Sequence, residues 1–128
     1  MNVHGNIMVK NEEVLLKELL PIWEKYPLER FVFYNDNSTD NTVETITSHL
    51  GSRAVILNDN RETFHESHNR SRMLEYSRDQ GATHVIAFDC DELFSQNLVD
   101  NFEQVVSLYD QADLHLYWYN VVNGTLMQ

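Results

Sequence analysis

The sequence predicts an α/β fold with a mostly parallel sheet and helices on both faces. Short apolar runs alternate along the chain with segments of helical periodicity, which is the pattern of strands joined by helices. Each of the first four apolar runs ends in a polar cluster. A length of 128 residues with 42% hydrophobic content suits one domain with its own core.

The first predicted strand covers residues 5–10, with an apolar centre at residues 7–9. A helix is expected from Val14, because leucines follow at helical spacing and two glutamates precede them at the favourable end of the helix dipole. Pro21 is expected to kink or break this helix, since proline lacks the amide hydrogen that a helix interior uses. Trp23 is expected to lie in the core.

The second and third strands are predicted at residues 30–34 and 54–57, where aromatic and β-branched side chains concentrate. Residues 35–42, with the sequence NDNSTDNT, have the turn and cap chemistry of a loop that leads into a helix. Thr39 or Asp40 is the expected N-cap of that helix. Gly51 is its expected C-terminal stop.

A helix over about residues 67–80 is predicted to precede a fourth strand at residues 85–88. This strand is expected to be buried on both faces, because it is a continuous apolar run. Residues 113–120 are expected to form a fifth strand. The helix between these two strands is predicted from five side chains on one helical face: Leu98, Phe102, Val105, Val106 and Tyr109.

The charge and cysteine content restrict the partners of the chain. The 20 acidic residues against 9 basic ones give a net charge of −11, so nucleic-acid binding is not expected. An anionic ligand would need local cations or a metal ion to offset this field. The single cysteine, Cys90, fits a reducing compartment and is interpreted as a small packing residue. We therefore expect a cytoplasmic protein without a membrane span or signal peptide.

Residues 83–94, with the sequence THVIAFDCDELF, place three acidic side chains directly after the fourth strand. In open α/β sheets, ligands bind outside the carboxyl ends of the strands, so Asp89 and Asp91 are candidates for a hard-cation or substrate site. The alternative is that they are solvated turn residues or helix caps. These residues alone do not decide between the two interpretations.

Three segments together resemble the family 2 glycosyltransferases with the GT-A fold: IMVKNEE, FVFYNDNSTDNT and HVIAFDCDE. Their order and spacing resemble the nucleotide-binding half of that family over residues 7–94. The resemblance implies a nucleoside-diphosphate sugar as donor, with uridine or guanosine favoured, and Mg²⁺ or Mn²⁺ as cofactor. It also implies an inverting transfer of the sugar to an acceptor, which could be a glycan, a lipid or a protein.

The resemblance further implies roles for individual residues. Asp36 would contact the base, Asp89 the ribose and the sugar, and Asp91 would be the main metal ligand with Asp89 beside it. Glu92 is close in sequence but a weak candidate for the catalytic base, which the family carries further along its chain. The complete set of donor-binding residues implied by the resemblance is Val9, Lys10, Asn11, Glu12, Asp36, Asn69, Arg70 and Asp89.

The sequence departs from the family pattern in two ways. Asn35 and Asn37 replace an acidic residue and a glycine that are common after the second strand, which leaves the identity of the base open. The family's catalytic domains are also longer than this chain. Residues 1–128 are therefore expected to form one partial domain that lacks the catalytic base and self-associates through its C-terminal segment, near residues 117–122.

Three other functions compete with this interpretation. A phosphotransferase of the haloacid-dehalogenase type also has Asp-x-Asp after a strand, but normally after the first strand of its fold. A calcium-binding loop at residues 35–41 would lack the required glycine and bidentate glutamate. The third alternative is a non-catalytic fragment for nucleotide binding or assembly, which the short chain favours.

Overall fold

Four parallel strands form one sheet in the order β3-β2-β1-β4. The computed structural model describes residues 1–58, 66–108, 120–122 and 125–127; for residues 66, 120–122 and 125–127 it describes the backbone alone. The strands of the sheet are β1 (Val3–Val9), β2 (Arg30–Asn35), β3 (Ala54–Asn58) and β4 (His84–Ala87).

The helices within these ranges are α1 (Glu13–Trp23), α2 (Thr42–Leu50), α3 (Glu66–Asp79), α4 (Gln96–Asp100) and α5 (Phe102–Ser107). A short 3₁₀ turn, Gly51–Arg53, follows α2. Near the C-terminus, β5 (Asn120–Val122) pairs antiparallel with β6 (Thr125–Met127). None of the helices in the described ranges has both the length and the apolar character needed to cross a membrane.

The sheet has helices on both faces. Alternate side chains of each strand point to opposite sides, so both faces carry apolar side chains that pack against helices. On one face, Leu20 and Trp23 of α1 join a core that includes Ile7 and Phe33. On the other face, α3 packs Met73 in a smaller cluster with Val32 and Tyr34 of β2. The predicted α/β class and parallel sheet are thereby confirmed.

Of the two outcomes predicted for Pro21, a kink or a break of the first helix, the break does not occur. Pro21 lies inside α1, which continues to Trp23. Leu20 and Trp23 are completely buried, and their packing holds the last turn in place. Burial of two such side chains contributes several kcal/mol, which is comparable to the roughly 3 kcal/mol that a proline costs in a helix interior.

The N-cap of α2 is also different from the prediction. The helix begins after Asn41, rather than after Thr39 or Asp40. The carboxylate of Asp40 nevertheless accepts a hydrogen bond from the backbone N–H of Thr42, at 3.0 Å. Asp40, one residue before the N-cap position, therefore accepts a backbone N–H at the start of the helix as a cap residue would. Gly51 ends the helix with a φ of +55°, as predicted.

Two short helices replace the single helix predicted after the fourth strand. Asn101, with φ −115° and ψ 24°, separates α4 from α5. The predicted apolar face is still present, since Phe102 and Val106 are buried in the main core and Leu98 is half-buried against it. Tyr109, the last member of that predicted face, lies outside the described residues.

The strand β4 is less buried than predicted. Val85 and Ile86 are half-buried and Ala87 is exposed. Among the described strands of this sheet, β4 lies at the end of the order and pairs with β1. The predicted fifth strand, residues 113–120, lies outside the described residues except for Asn120, which begins β5.

Arg53 fixes the connection between α1 and β2. Its guanidinium donates hydrogen bonds to the carbonyl oxygens of Glu24, Tyr26 and Leu28, at 2.7, 2.8 and 2.9 Å, and lies over the ring of Phe31. We expect Arg53→Ala to lower the free energy of unfolding by about 2–4 kcal/mol, because three carbonyl oxygens lose a charged donor. Urea denaturation measures this loss. Arg78→Ala, which removes an exposed arginine, is the control, and equal losses in the two variants would contradict the account.

His4 makes stability depend on pH. It is buried in β1, where its Nδ1 lies 3.1 Å from Ser77 Oγ, which in turn donates to Asn6 Oδ1. Burial, reinforced by the positive charge of Arg30 and opposed by Glu29, lowers the pKa of His4 from 6.5. Below that pH the unfolded chain binds a proton that the folded chain does not, so stability falls as pH falls. Denaturation midpoints at pH 7.5 and 5.5 test this; an unchanged pH dependence in His4→Gln would show that another group is responsible.

Candidate functional site

The carboxyl ends of the four parallel strands lie at one edge of the sheet. Val9 of β1 is aligned with Asn35 of β2, which is aligned with Asn58 of β3, so the loops that follow begin side by side. Since β4 is parallel to β1, Asp89 leaves the sheet at the same edge. This confirms the prediction that one edge carries Lys10, Asp36, Asn58 and Asp89.

The carboxylate of Asp36 lies at the junction of the first two loops. Its Oδ2 is 3.7 Å from Lys10 Nζ, and its backbone N–H donates to the carbonyl oxygen of Val9 at 3.0 Å. The side chain of Asp36 is 13% exposed and that of Lys10 is 63% exposed. Val9 itself is buried, so it supports the site from below.

Hydrogen bonds join the first loop to the second. The backbone N–H of Asn11 donates to Ser38 Oγ at 3.0 Å, and Asn11 Oδ1 accepts from the backbone N–H of Thr39 at 2.7 Å. Asn11 and Asn37 have φ values of +51° and +53°, in the left-handed region where asparagine is enriched. The two loops therefore form one unit at the edge of the sheet.

The first backbone N–H groups of α1 are already occupied. Glu12 N–H donates to Thr42 Oγ1 at 3.0 Å, and Glu13 N–H donates to Asp40 Oδ2 at 3.2 Å. A hydrogen bond from the Thr42 hydroxyl lowers the pKa of Asp40 most; desolvation opposes it, and the backbone N–H groups of Glu13, Thr42 and Asp40 reinforce it. A helix N-terminus often binds phosphate through such free N–H groups, but here side chains of the second loop occupy that place.

Asn35 connects the ends of β2 and β3. Its Nδ2 donates to Asn58 Oδ1 at 3.0 Å, and its Oδ1 accepts from the backbone N–H of Ser38 at 3.1 Å. Both ends of this amide are therefore engaged within the protein. A carboxylate at this position could not donate to Asn58 Oδ1 as the Asn35 amide does. Asp36 is the residue that presents a carboxylate from this loop.

The three acidic side chains after β4 lie close together. Asp89, Asp91 and Glu92 each offer a carboxylate oxygen, and these oxygens lie within 4.8 Å of one another. Around one octahedral Mg²⁺, with each oxygen about 2.1 Å from the ion, adjacent ligand oxygens are about 3.0 Å apart and opposite ones about 4.2 Å, so these carboxylate oxygens would move closer together to share an ion. Hard divalent cations prefer carboxylate oxygens. The donor set fits the predicted Mg²⁺ or Mn²⁺.

Residues Asn69 and Arg70 of α3 reach this edge in different ways. Arg70 Nη2 lies 3.8 Å from Asp89 Oδ1, which is within ion-pair distance. Asn69 is completely buried, and within the described part of the chain neither its Oδ1 nor its Nδ2 has a hydrogen-bond partner. A buried amide without partners carries a desolvation cost of about 1–3 kcal/mol.

Cys90 lies between the two aspartates but faces the core. It is 6% exposed, and burial, with the negative charges of Glu12, Asp91 and Asp89, raises the pKa of its thiol to about 12. The neutral thiol agrees with the interpretation of Cys90 as a packing residue.

Comparison with known proteins identifies the family. Residues 7–125 match the sequence model of the family described as glycosyl transferase family 2. No curated protein matched the chain. A solved structure to which the chain is similar is the crystal structure of S. aureus TarS 1-349, with a TM-score of 0.70 and 17% sequence identity. The match covers 85% of this chain and 33% of that one, so the chain spans a third of that structure. At this identity the similarity shows the fold.

The family match covers most of the chain and extends past the segments that carry the resemblance in the sequence. This match assigns the chain to a family other than the haloacid-dehalogenase phosphotransferases, so that alternative is set aside. The calcium-loop alternative is not supported either, since the carboxylates of Asp36 and Asp40 are directed to Lys10 and to backbone N–H groups rather than to a common centre. The chain therefore belongs to glycosyl transferase family 2, with the parallel α/β sheet of the GT-A nucleotide-binding half.

Proposed function

We propose that this domain binds a nucleoside-diphosphate sugar and a divalent metal at the carboxyl edge of its sheet, as part of an enzyme that transfers the sugar to an acceptor with inversion. The observation that carries the proposal is that the Asp36 loop and the acidic Asp89 loop leave the sheet at the same edge, with carboxylate oxygens of the acidic loop within 4.8 Å of one another. Family membership supports the same class of reaction.

Asp91 and Asp89 are the proposed metal ligands, and Mg²⁺ or Mn²⁺ is the proposed ion. When bound, such an ion offsets the charge that develops on the diphosphate leaving group. The chain needs this compensation, because its net charge of −11 opposes an anionic donor. Lys10 and Arg70, which are partly exposed beside Asp36 and Asp89, are proposed to add local positive charge.

The nucleoside is proposed to lie against the joined first and second loops. Asp36 is the proposed contact to the base, and Asp89 the proposed contact to the ribose and sugar. Uridine and guanosine remain the favoured nucleosides. The proposed donor-binding set is the one the sequence resemblance implies, which comprises Val9, Lys10, Asn11, Glu12, Asp36, Asn69, Arg70 and Asp89.

The base that accepts the proton of the acceptor hydroxyl is proposed to lie outside residues 1–128, as the family resemblance implies. An inverting transfer needs a free carboxylate near that hydroxyl. Glu92 remains a weak candidate for this role, because one of its two oxygens accepts the backbone N–H of Asp89 at 2.6 Å. The acceptor, whether glycan, lipid or protein, stays open, and the cytoplasmic location and the self-association stay predictions.

A second candidate is a domain that binds nucleotide or assembles with other copies but does not catalyse transfer. The observation in its favour is that the chain spans a third of the TarS structure to which it is similar. A sugar-transfer assay tests whether residues 1–128 are catalytic by themselves. We expect negligible turnover by residues 1–128 alone, and robust turnover that Glu92→Gln abolishes would show that Glu92 is the base after all.

Calorimetry with UDP, GDP, CDP and dTDP, each with and without Mn²⁺, tests the proposed function. We expect at least one of these nucleotides to bind, and to bind at least about tenfold more weakly without metal, because the diphosphate would face uncompensated carboxylates. Asp36→Ala should weaken binding with and without Mn²⁺. The absence of binding to all four nucleotides in Mn²⁺ would overturn the proposal.

A further inference from the structure

The acidic loop after β4 is closed by hydrogen bonds within residues 89–92. The backbone N–H of Glu92 donates to the carbonyl oxygen of Asp89 at 3.0 Å. In the opposite direction, the backbone N–H of Asp89 donates to Glu92 Oε1 at 2.6 Å, which is short for a bond to a charged acceptor. Glu92 thereby bonds both the N–H and the C=O of Asp89.

Trp23 at the end of α1 and Tyr26, a short distance further along the chain, attach this loop to the core. The indole N–H of Trp23 donates to the carbonyl oxygen of Glu92 at 3.3 Å, and the buried Trp23 ring contacts Phe88 edge to face at 5.2 Å. The hydroxyl of Tyr26 accepts the backbone N–H of Phe94 at 2.8 Å, and the two rings stack at 4.4 Å. The loop is therefore attached to the core just before Asp89, at Glu92 and at Phe94.

We infer that Glu92 is a positioning residue, which fixes the turn so that Asp89 and Asp91 present their carboxylates to the metal. Glu92 is only half-exposed, whereas Asp89 and Asp91 are exposed, and its Oε1 is engaged by the Asp89 amide. The second oxygen of Glu92 accepts no hydrogen bond within the described part of the chain, so the experiments below compare a positioning role with a direct ligand role. The inference deepens the proposed function and rests on it for the identity of the metal.

Substitutions of Glu92 separate a positioning role from a ligand role. Glu92→Gln keeps a side-chain oxygen that can accept the Asp89 N–H but removes the charge, whereas Glu92→Ala removes the acceptor. Mn²⁺ affinity, measured by electron paramagnetic resonance with UDP present, should fall by about tenfold in Glu92→Ala and by less than about threefold in Glu92→Gln. A loss in Glu92→Gln as large as in Asp91→Asn would identify a ligand instead. Wild-type affinity in Glu92→Ala would overturn the inference.

A second measurement reports on the turn without metal. In ¹⁵N spectra of the metal-free protein, we expect the Asp89 amide to resonate downfield and to exchange slowly with solvent. Both features should be lost in Glu92→Ala and largely kept in Glu92→Gln. If the wild-type protein binds no Mn²⁺, the proposed function and the metal part of this inference fail together, while the Asp89 amide still decides whether Glu92 holds the turn. An Asp89 amide unchanged by Glu92→Ala would overturn that role.

Discussion

Asp91→Asn is expected to weaken Mn²⁺ binding in the presence of UDP by on the order of 100-fold. Residues that only orient a ligand typically cost 10–100-fold when they are changed, so loss of a direct carboxylate ligand should reach the upper end of that range. Asparagine keeps the size of the side chain and removes its charge. Calorimetric titration of Mn²⁺ into the protein with UDP measures the effect.

Asp79→Asn is the matched control for this prediction. Asp79 is an exposed aspartate at the C-terminal end of α3, just before β4 begins. Its replacement therefore removes the same charge at the opposite edge of the sheet, where the strands start. We expect less than a twofold change. Equal losses in the two variants would mean that Asp91 acts only through the overall charge of the chain, and the metal-ligand assignment would then be wrong.

Gly5→Ala is expected to cost about 1–3 kcal/mol of the free energy of unfolding, or roughly 4–12 °C in Tm. A Cβ at this position in β1 would lie 2.8 Å from Leu28 Cδ1 and 3.0 Å from Phe88 Cε1, closer than packed carbon atoms allow. Both neighbours are buried, so neither can move freely. Since Phe88 directly precedes Asp89, its displacement would also disturb the acidic loop of residues 89–92.

A double-mutant cycle with Leu28→Val checks the cause of that loss. Valine lacks the atom that the new Cβ would meet at 2.8 Å, so Gly5→Ala should cost less in the Leu28→Val background than in the wild type. Thermal and urea denaturation of the four proteins give the coupling free energy. A Gly5→Ala protein as stable as the wild type would show that the β1 backbone shifts to accept the methyl group at no cost.

The parallel sheet and its polar edge could be predicted from the sequence because both depend on local patterns. Apolar runs locate strands, and parallel strands necessarily bring their carboxyl ends to one edge. The strand order has no such local signal, so the partly exposed position of β4 was not foreseen. The bonds from Asn11 and Glu12 to Ser38 and Thr42 join loops far apart in the sequence, and no spacing rule reports them.

Some residues of the candidate site could likewise be predicted from the sequence, and others could not. Asp89 and Asp91 could be found because acidic residues directly after a strand are conspicuous. The role of Glu92 had a signal, since its place three residues after Asp89 is the spacing of a capping box, in which the later carboxylate bonds the earlier N–H. Trp23 had none, because a buried tryptophan on an apolar helix face is usually only a core residue.

Paramagnetic broadening by Mn²⁺ tests the central claim most directly, namely that metal and nucleoside diphosphate bind at the carboxyl edge of the sheet. In ¹H–¹⁵N spectra with UDP present, small additions of Mn²⁺ should first remove the amide signals of residues 89–92, followed by those near Lys10 and Asp36. Signals from the amino ends of the strands, such as Arg30 and His84, should persist. Broadening that begins elsewhere, or that affects both edges of the sheet equally, would contradict the account.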